Sequence, residues 1–201
     1  MGSIYYYFIA SLPLVFFDGK MPMTVGAFRE DCRRLLTEKD YALMEQLWAP
    51  DEALSVLGTG NRVLDAWLHF DRGLRNELAW YRAGHLNKDP LKYLHGPRTL
   101  VSSPVEDIQR ALKMDDLREA EKILSKARWQ FLDDLGMGHY YDFESVFIYY
   151  LKLEILKRHQ EYGSPEGRNR LQEIKTMPLP EGSDARPPKV APQANSVPTS
   201  A

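Results

Sequence analysis

The residues best suited to recognise a ligand or partner lie in the stretch FDRGLRNELAWYRAGH, residues 70–85. Arg72, Arg75 and Arg82 stand at offsets of 3 and 7, so they share one face of a helix. A guanidinium binds carboxylates through planar, bidentate hydrogen bonds, and Trp80 would add an aromatic anchor if it were exposed. The pattern predicts either a solvent-exposed helix face that carries several charges or a docking surface for an acidic partner.

The motifs of common catalytic and cofactor sites are absent from the sequence. It contains no phosphate loop, no G-x-G-x-x-G, no G-x-S-x-G and no H-E-x-x-H. The five histidines, His69, His85, His95, His139 and His159, form no pair at the spacing of a helical zinc site. We therefore predict no catalytic residue, no cofactor and no metal ligand, with a small helical enzyme as the alternative.

The single cysteine, Cys32, excludes an intramolecular disulfide and favours a reducing compartment. It lies on the same predicted helix stripe as Phe28 and Leu35, which is typical of a small buried hydrophobe and not of a nucleophile. The 201 residues carry 44% hydrophobic residues, 27% charged residues and a net charge of −2. This balance is ordinary for a soluble globular protein and gives no electrostatic case for binding nucleic acid.

The apolar opening segment, Ile4–Phe17, is too short to span a bilayer, which takes about 20 apolar residues in a helix. Pro13 interrupts it, no Lys or Arg precedes Lys20, and no A-x-A-like cleavage site follows. We therefore expect a buried N-terminal segment of a cytoplasmic protein, with no export signal and no direct membrane insertion.

The apolar spacing over most of the chain is helical and predicts an all-α bundle of six to seven helices. Residues 5–10 are the only candidate for a strand. Gly84 and the GMG of residues 136–138 predict helix ends, and the last helix, DFESVFIYYLKLEILKRH, is apolar on more than one face, as a central helix would be. Helix starts are predicted at Thr24, Thr37, Asn61, Ser103, Asp115 and Asp142.

The composition changes near the C-terminal end. The sequence predicts a helical domain over residues 1–176, which could divide into two small subdomains near residues 84–102. Residues 177–201 carry repeated prolines and no aromatic side chain, so they cannot bury enough apolar surface to order themselves. We predict a disordered, Pro-rich tail.

Several segments, taken together, resemble one protein family. It is a bacterial family of unknown function whose genes accompany those of V/A-type ATPases, and the likeness covers nearly all of residues 4–175. The segments that carry it are YYYFIASLP, LLTEKDYALM, FDRGLRNELAWYRA and DFESVFIYYLKLEILKRHQEYG.

A more distant similarity connects two of these segments with the rotor-cap subunit of V/A-type ATPases, which is designated C in bacteria and d in eukaryotes. The last helix matches it at Tyr149 or Tyr150, Leu151, Lys152, Glu154 and Arg158. The rotor-cap subunit is a funnel of three-helix bundles that caps the membrane rotor ring and seats the central stalk. This chain is much shorter and could form only part of such a funnel, and its Pro-rich tail has no counterpart there.

The resemblance implies a non-catalytic component or accessory of a bacterial V/A-type ATPase, which could be a short coupling piece between rotor ring and central stalk. Central-stalk and rotor-ring subunits would be its partners, and it could sit peripherally at the inner membrane through the ATPase. An assembly factor or a general adaptor is the alternative. The candidate docking residues are Arg72, Arg75, Trp80, Arg82, Glu154 and Arg158.

Overall fold

The structure is a computed structural model that describes residues 5–48, 59–96, 105–114 and 116–163. Within these ranges it contains seven α-helices, one short 3-10 helix at Pro90–Tyr93 and no strand, which confirms the predicted all-α fold. Residues 5–10 are therefore not a strand, because most of them form the first helix. The helices are α1 Tyr6–Ser11, α2 Val25–Leu35, α3 Glu38–Trp48, α4 Arg62–His85, α5 Val105–Leu112, α6 Leu117–Leu135 and α7 Phe143–Gly163.

Side-chain caps explain where several helices begin. The first amides of a helix have no intrahelical acceptor, so a polar side chain in front of the helix stabilises them. The Thr24 hydroxyl accepts from the Ala27 amide at 3.1 Å, and the Asn61 side chain accepts from the amides of Val63 and Leu64. Before α7, the Asp142 carboxylate accepts from the Ser145 amide at 3.1 Å. These three predicted helix starts are confirmed. The Thr37 hydroxyl also accepts from the Asp40 amide at 3.3 Å at the start of α3, as predicted.

One predicted helix start is corrected, and others lie outside the described residues. The cap of α6 is Asp116, whose carboxylate accepts from the Arg118 amide at 2.8 Å, and not Asp115. Asp115 itself, Ser103 and the Pro-rich segment 177–201 lie outside the described residues. Helix α4 continues one residue past Gly84, and α6 ends at Leu135, directly before the predicted GMG.

Helix α6 connects the other long helices. It packs against α4, α5 and α7, while α7 also packs against α2. Val146 and Ile148 of α7 point in nearly opposite directions, since two helical residues turn about 200°, and both are buried. The prediction that this helix is apolar on more than one face is confirmed.

An aromatic cluster holds α1 and α2 against α7. The Phe28 ring is fully buried and stacks on Phe8, Tyr149 and Tyr150 at centroid distances of 5.9, 5.4 and 6.1 Å. The opening segment is only partly buried, because Phe8 is covered while Tyr7 is 87% exposed. No described helix has the length and apolar character needed to cross a membrane.

A second aromatic contact joins α4 to α6. The Phe70 and Phe131 rings are stacked with their centroids 3.9 Å apart. Further along α4, the buried Asn76 exchanges two hydrogen bonds with the backbone of His95, which fastens the segment after the 3-10 helix. Cys32 is fully buried in α2, and this burial raises the pKa of its thiol to about 12, in keeping with a packing role.

We expect Phe28→Ala to lower the free energy of unfolding by about 3–5 kcal/mol, because the substitution leaves a cavity among three aromatic rings. Chemical denaturation of the purified protein measures this change. Phe16→Ala is the matched control, since Phe16 is 65% exposed, and it should change the same quantity by about 0.5 kcal/mol or less. Equal effects of the two substitutions would show that the Phe28 cluster does not hold the fold together.

Candidate functional site

A cleft of about 430 Å³ opens where α2, α3, α4, α6 and α7 meet. Five cationic and two acidic side chains line it, so positive charge is in excess. We name it the arginine cleft. Its charged residues are Arg29, Asp71, Arg75, Arg128, Glu154, Lys157 and Arg158, and its other residues are Leu47, Trp48, Trp67, Leu68, Tyr150, Leu151 and Ile155.

Arg29 projects from α2 and is held by two aromatic rings. Its guanidinium carbon lies 5.0 Å from the centroid of Trp48 and 5.6 Å from that of Tyr150. Nη2 of Arg29 donates to the Tyr150 hydroxyl at 2.9 Å, and this hydroxyl donates to Glu154 Oε1 at 2.9 Å. Cation–π contacts and hydrogen bonds therefore fix the orientation of the guanidinium before anything binds.

Asp71 also lines the cleft, and it binds two arginines. Its Oδ2 accepts from Nε and Nη2 of Arg75 at 2.9 and 2.5 Å, within α4. Its Oδ1 accepts from Nε of Arg128 at 2.9 Å, which joins α4 to α6. Burial alone would raise the pKa of Asp71, but the guanidiniums of Arg128 and Arg75 outweigh it and hold the pKa below its usual value. The carboxylate is therefore locked in its ionised form.

Three buried N–H groups of the cleft have no hydrogen-bond acceptor among the residues that the structure describes. They are Nε of Arg29, Nε1 of Trp48 and Nη1 of Arg128. A carboxylate oxygen of Glu121 lies 3.9 Å from Nη1 of Arg128, which makes an ion pair without a hydrogen bond. Leaving a buried donor unsatisfied costs roughly 1–3 kcal/mol. These nitrogens have almost no exposed surface, so an acceptor in the cleft would recover part of that energy after a shift of the side chains that cover them.

The structure brings together three of the six predicted docking residues. Arg75, Glu154 and Arg158 line the cleft, and Arg158 is exposed and makes no ion pair with a described residue. Arg72, Trp80 and Arg82 do not line it. Arg82 shares a helix face with Arg75 but lies about 10 Å further along α4, because each residue advances a helix by about 1.5 Å.

The sequence reasoning missed Arg29, Trp48 and Arg128 as members of the site. For Arg128 a signal existed, because it stands four residues from both Leu124 and Leu132, on the stripe that α6 buries. A charged residue in an apolar stripe needs a partner, and here it finds Asp71. For Arg29 no comparable signal exists, since α2 carries several other charged side chains that are exposed.

A second cavity, of about 350 Å³, lies beside the ends of α6 and α7. Its charges are balanced, with three acidic and three basic side chains, and Lys122 pairs with Asp18 at 3.0 Å. His159 lines it, and burial lowers the pKa of this imidazole. Because the charges cancel, the lining of this cavity has no net charge that would favour a ligand of either sign, unlike the lining of the arginine cleft.

One group of side chains could hold a metal ion within the described residues. The ligand atoms of His139, Asp142 and Glu144 lie within 4.8 Å of one another. All three already have protein partners: His139 Nδ1 lies 2.6 Å from Asp142, and Glu144 accepts from Asn61 Nδ2 at 2.8 Å. These bonds fasten the start of α7, so the group has a structural role without a metal, and the prediction of no metal ligand stays a prediction.

Residues 102–178 match the sequence model of a family described as "Protein of unknown function (DUF2764)". No curated protein and no solved structure matches the chain. The matched region contains α5, α6 and α7, and with them Arg128, Tyr150, Glu154 and Arg158 of the cleft. The coarser part of the predicted resemblance, a family of unknown function, is therefore supported over this region.

We expect Asp71→Asn to lower the free energy of unfolding near neutral pH by about 3 kcal/mol. The reason is that the buried Arg128 loses its hydrogen-bonded counter-charge and keeps only Glu121, at 3.9 Å. Urea denaturation at several pH values measures this change. Asp18→Asn is the matched control: the Asp18 and Lys122 side chains are 75% and 52% exposed and pair at 3.0 Å, and loss of such a surface pair should lower the free energy of unfolding far less than Asp71→Asn does.

The effect of Asp71→Asn should also depend on pH. Because folding lowers the pKa of Asp71, its stabilising contribution is complete above the ordinary carboxyl pKa of roughly 4. It is lost as the pH falls through the lowered pKa of the folded state. The stability difference between wild type and Asp71→Asn should therefore shrink in acid, and a difference that stays constant to strongly acidic pH would contradict this account.

Proposed function

We propose that this chain is a non-catalytic interaction protein that binds an acidic surface of its partner through the arginine cleft. The observation that carries the proposal is the excess of cationic side chains in the cleft, with Arg29 held in place by Trp48 and Tyr150. Arginine and aromatic residues dominate the binding energy of protein interfaces, and a pre-oriented guanidinium loses little entropy on binding.

Two ionisable groups of the cleft favour binding over proton-transfer chemistry. A general acid or base works best when its pKa lies near the operating pH. Burial, the largest influence, raises the pKa of Tyr150 to about 12, and the two arginines beside Asp71 keep that carboxylate ionised. Neither group would exchange protons readily near neutral pH, so we propose a binding site and not an active site.

We propose a bacterial V/A-type ATPase as the partner complex, with the central stalk and rotor ring as the contacted parts. The proposal is supported by the likeness of four segments to a family whose genes accompany those of the ATPase. The finer role, a short counterpart of the rotor-cap subunit that couples rotor ring and central stalk, is supported by the pattern from Tyr149 to Arg158 in α7. The chain would then act peripherally at the membrane through the ATPase, without inserting into it.

Affinity purification of the tagged chain from its native cells, followed by mass spectrometry, tests this function. We expect the catalytic and central-stalk subunits of the ATPase to co-purify in a fixed ratio. The double variant Arg29→Gln/Arg158→Gln should lower their recovery about tenfold or more, because truncating one partner of a desolvated charge pair costs about 2–5 kcal/mol. Arg33→Gln/Arg34→Gln is the matched control, since it removes the same two charges from exposed positions of α2 outside the cleft.

Two other results would change the proposal. Recovery of the chain only with incomplete ATPase complexes would identify an assembly factor in place of a permanent component. Recovery of the chain alone, from cells whose ATPase purifies intact without it, would end the ATPase proposal.

A further inference from the structure

We infer that the arginine cleft binds a carboxylate side chain of a peptide segment, with apolar residues beside that carboxylate in the segment. This inference deepens the proposed function, on which it rests, by naming the chemistry that the cleft recognises. It is carried by three observations: buried donors without an acceptor among the described residues, an excess of positive charge, and an apolar part of the lining.

The donors define the type of group that is bound. Nη1 of Arg128, Nε of Arg29 and Nε1 of Trp48 are N–H groups, so each needs an acceptor. The Arg128 side chain is nine-tenths buried, and Asp71 uses only its Nε. An ionised carboxylate is an acceptor with two oxygens and about four lone-pair sites, and it also satisfies the charge of the guanidiniums.

The charged side chains in and around the cleft indicate the sign and the size of the charge that a ligand should carry. Asp71 already neutralises one of its two arginines, and Glu154 lies 3.6 Å from Nη2 of Arg29. Outside the lining, Glu121 and Glu161 lie 3.9 Å from Arg128 and Lys157 and offset part of their charge. Arg158 stands at the edge without an ion pair to any residue in the described part of the chain. A ligand with one or a few negative charges restores the balance, whereas a cation or a neutral apolar ligand does not.

The apolar lining distinguishes a peptide from a free inorganic anion. Leu47, Leu68, Leu151 and Ile155 line the same cleft as the arginines. Ile155 is already buried, whereas Leu47, Leu68 and Leu151 are half-buried. A small anion such as phosphate would leave these three partly in water, whereas an acidic residue with an apolar neighbour covers both kinds of surface. A volume of about 430 Å³ holds a few side chains and not a folded domain.

Selection from a random octapeptide library on the purified full-length protein tests the inference. We expect enrichment of peptides with Asp or Glu next to Leu, Phe or Trp. Calorimetric titration then compares the best peptide with its twin, in which the acidic residue is replaced by the amide. The twin should bind about tenfold more weakly or worse, which corresponds to about 1.4 kcal/mol, and the affinity of the acidic peptide should fall as salt is added.

Protein variants locate the binding in the cleft. Arg29→Gln should weaken the acidic peptide about tenfold, or about 1.4 kcal/mol, while Arg33→Gln on the same helix should leave its affinity unchanged. Because the Arg29 side chain is 40% exposed, the variant is expected to fold, and circular dichroism checks that it does. Arg158→Gln provides a second variant at an exposed position.

Several results would overturn the inference. They are the selection of no peptide, the selection of peptides without an acidic residue, equal binding of the amide twin, and unchanged affinity in both Arg29→Gln and Arg158→Gln. Full displacement of the peptide by millimolar inorganic phosphate, or preference for a phosphoserine twin, would assign the cleft to phosphate instead. Because these experiments use purified protein, their failure leaves the ATPase association open, and failure of that association leaves a demonstrated peptide site intact.

Discussion

The ion pair between Asp71 and Arg128 is the interaction on which the arrangement of the long helices depends. It joins α4 to α6 at a place where both side chains are mostly covered, next to the stacked rings of Phe70 and Phe131. A buried ion pair contributes little net stability compared with apolar packing, but it tolerates no partner of the wrong charge. Because the pair joins one position of α4 to one position of α6, sliding either helix along the other would separate the two buried charges. Helix α6 in turn contacts α5 and α7.

Much of the fold could be predicted because it follows from local physical chemistry. Capping side chains such as Thr24, Asn61 and Asp142 act within a few residues of their own position, so their roles are readable without knowing the tertiary structure. The strand considered for residues 5–10 was wrong because three consecutive tyrosines have high β propensity, whereas tertiary packing of Phe8 on Phe28 favours a helix. Asp115 and Asp116 are chemically identical caps, and only the helix geometry decides between them.

The candidate site could be predicted only in part, because it is a product of tertiary structure. The spacing of Arg72, Arg75 and Arg82 defines a helix face but not what packs beside it. The cleft takes Arg75 from that face and combines it with residues of four other helices, including Arg29. Periodicity within one helix does not show which residues of other helices lie beside it. The excess of positive charge in the cleft is therefore visible only in the folded structure.

The hydrogen bond between Arg29 and Tyr150 spans 121 positions of the chain. The two halves of the cleft are therefore synthesised far apart in time, with α2 early and α7 late. A nascent chain that has formed only α2 and α3 carries the guanidinium and the Trp48 ring, but it has neither the Tyr150 hydroxyl nor the Arg128 donor. The cleft is therefore complete only after α7 has packed against α2, so the proposed partner would find its binding site on the folded chain and not on a nascent one.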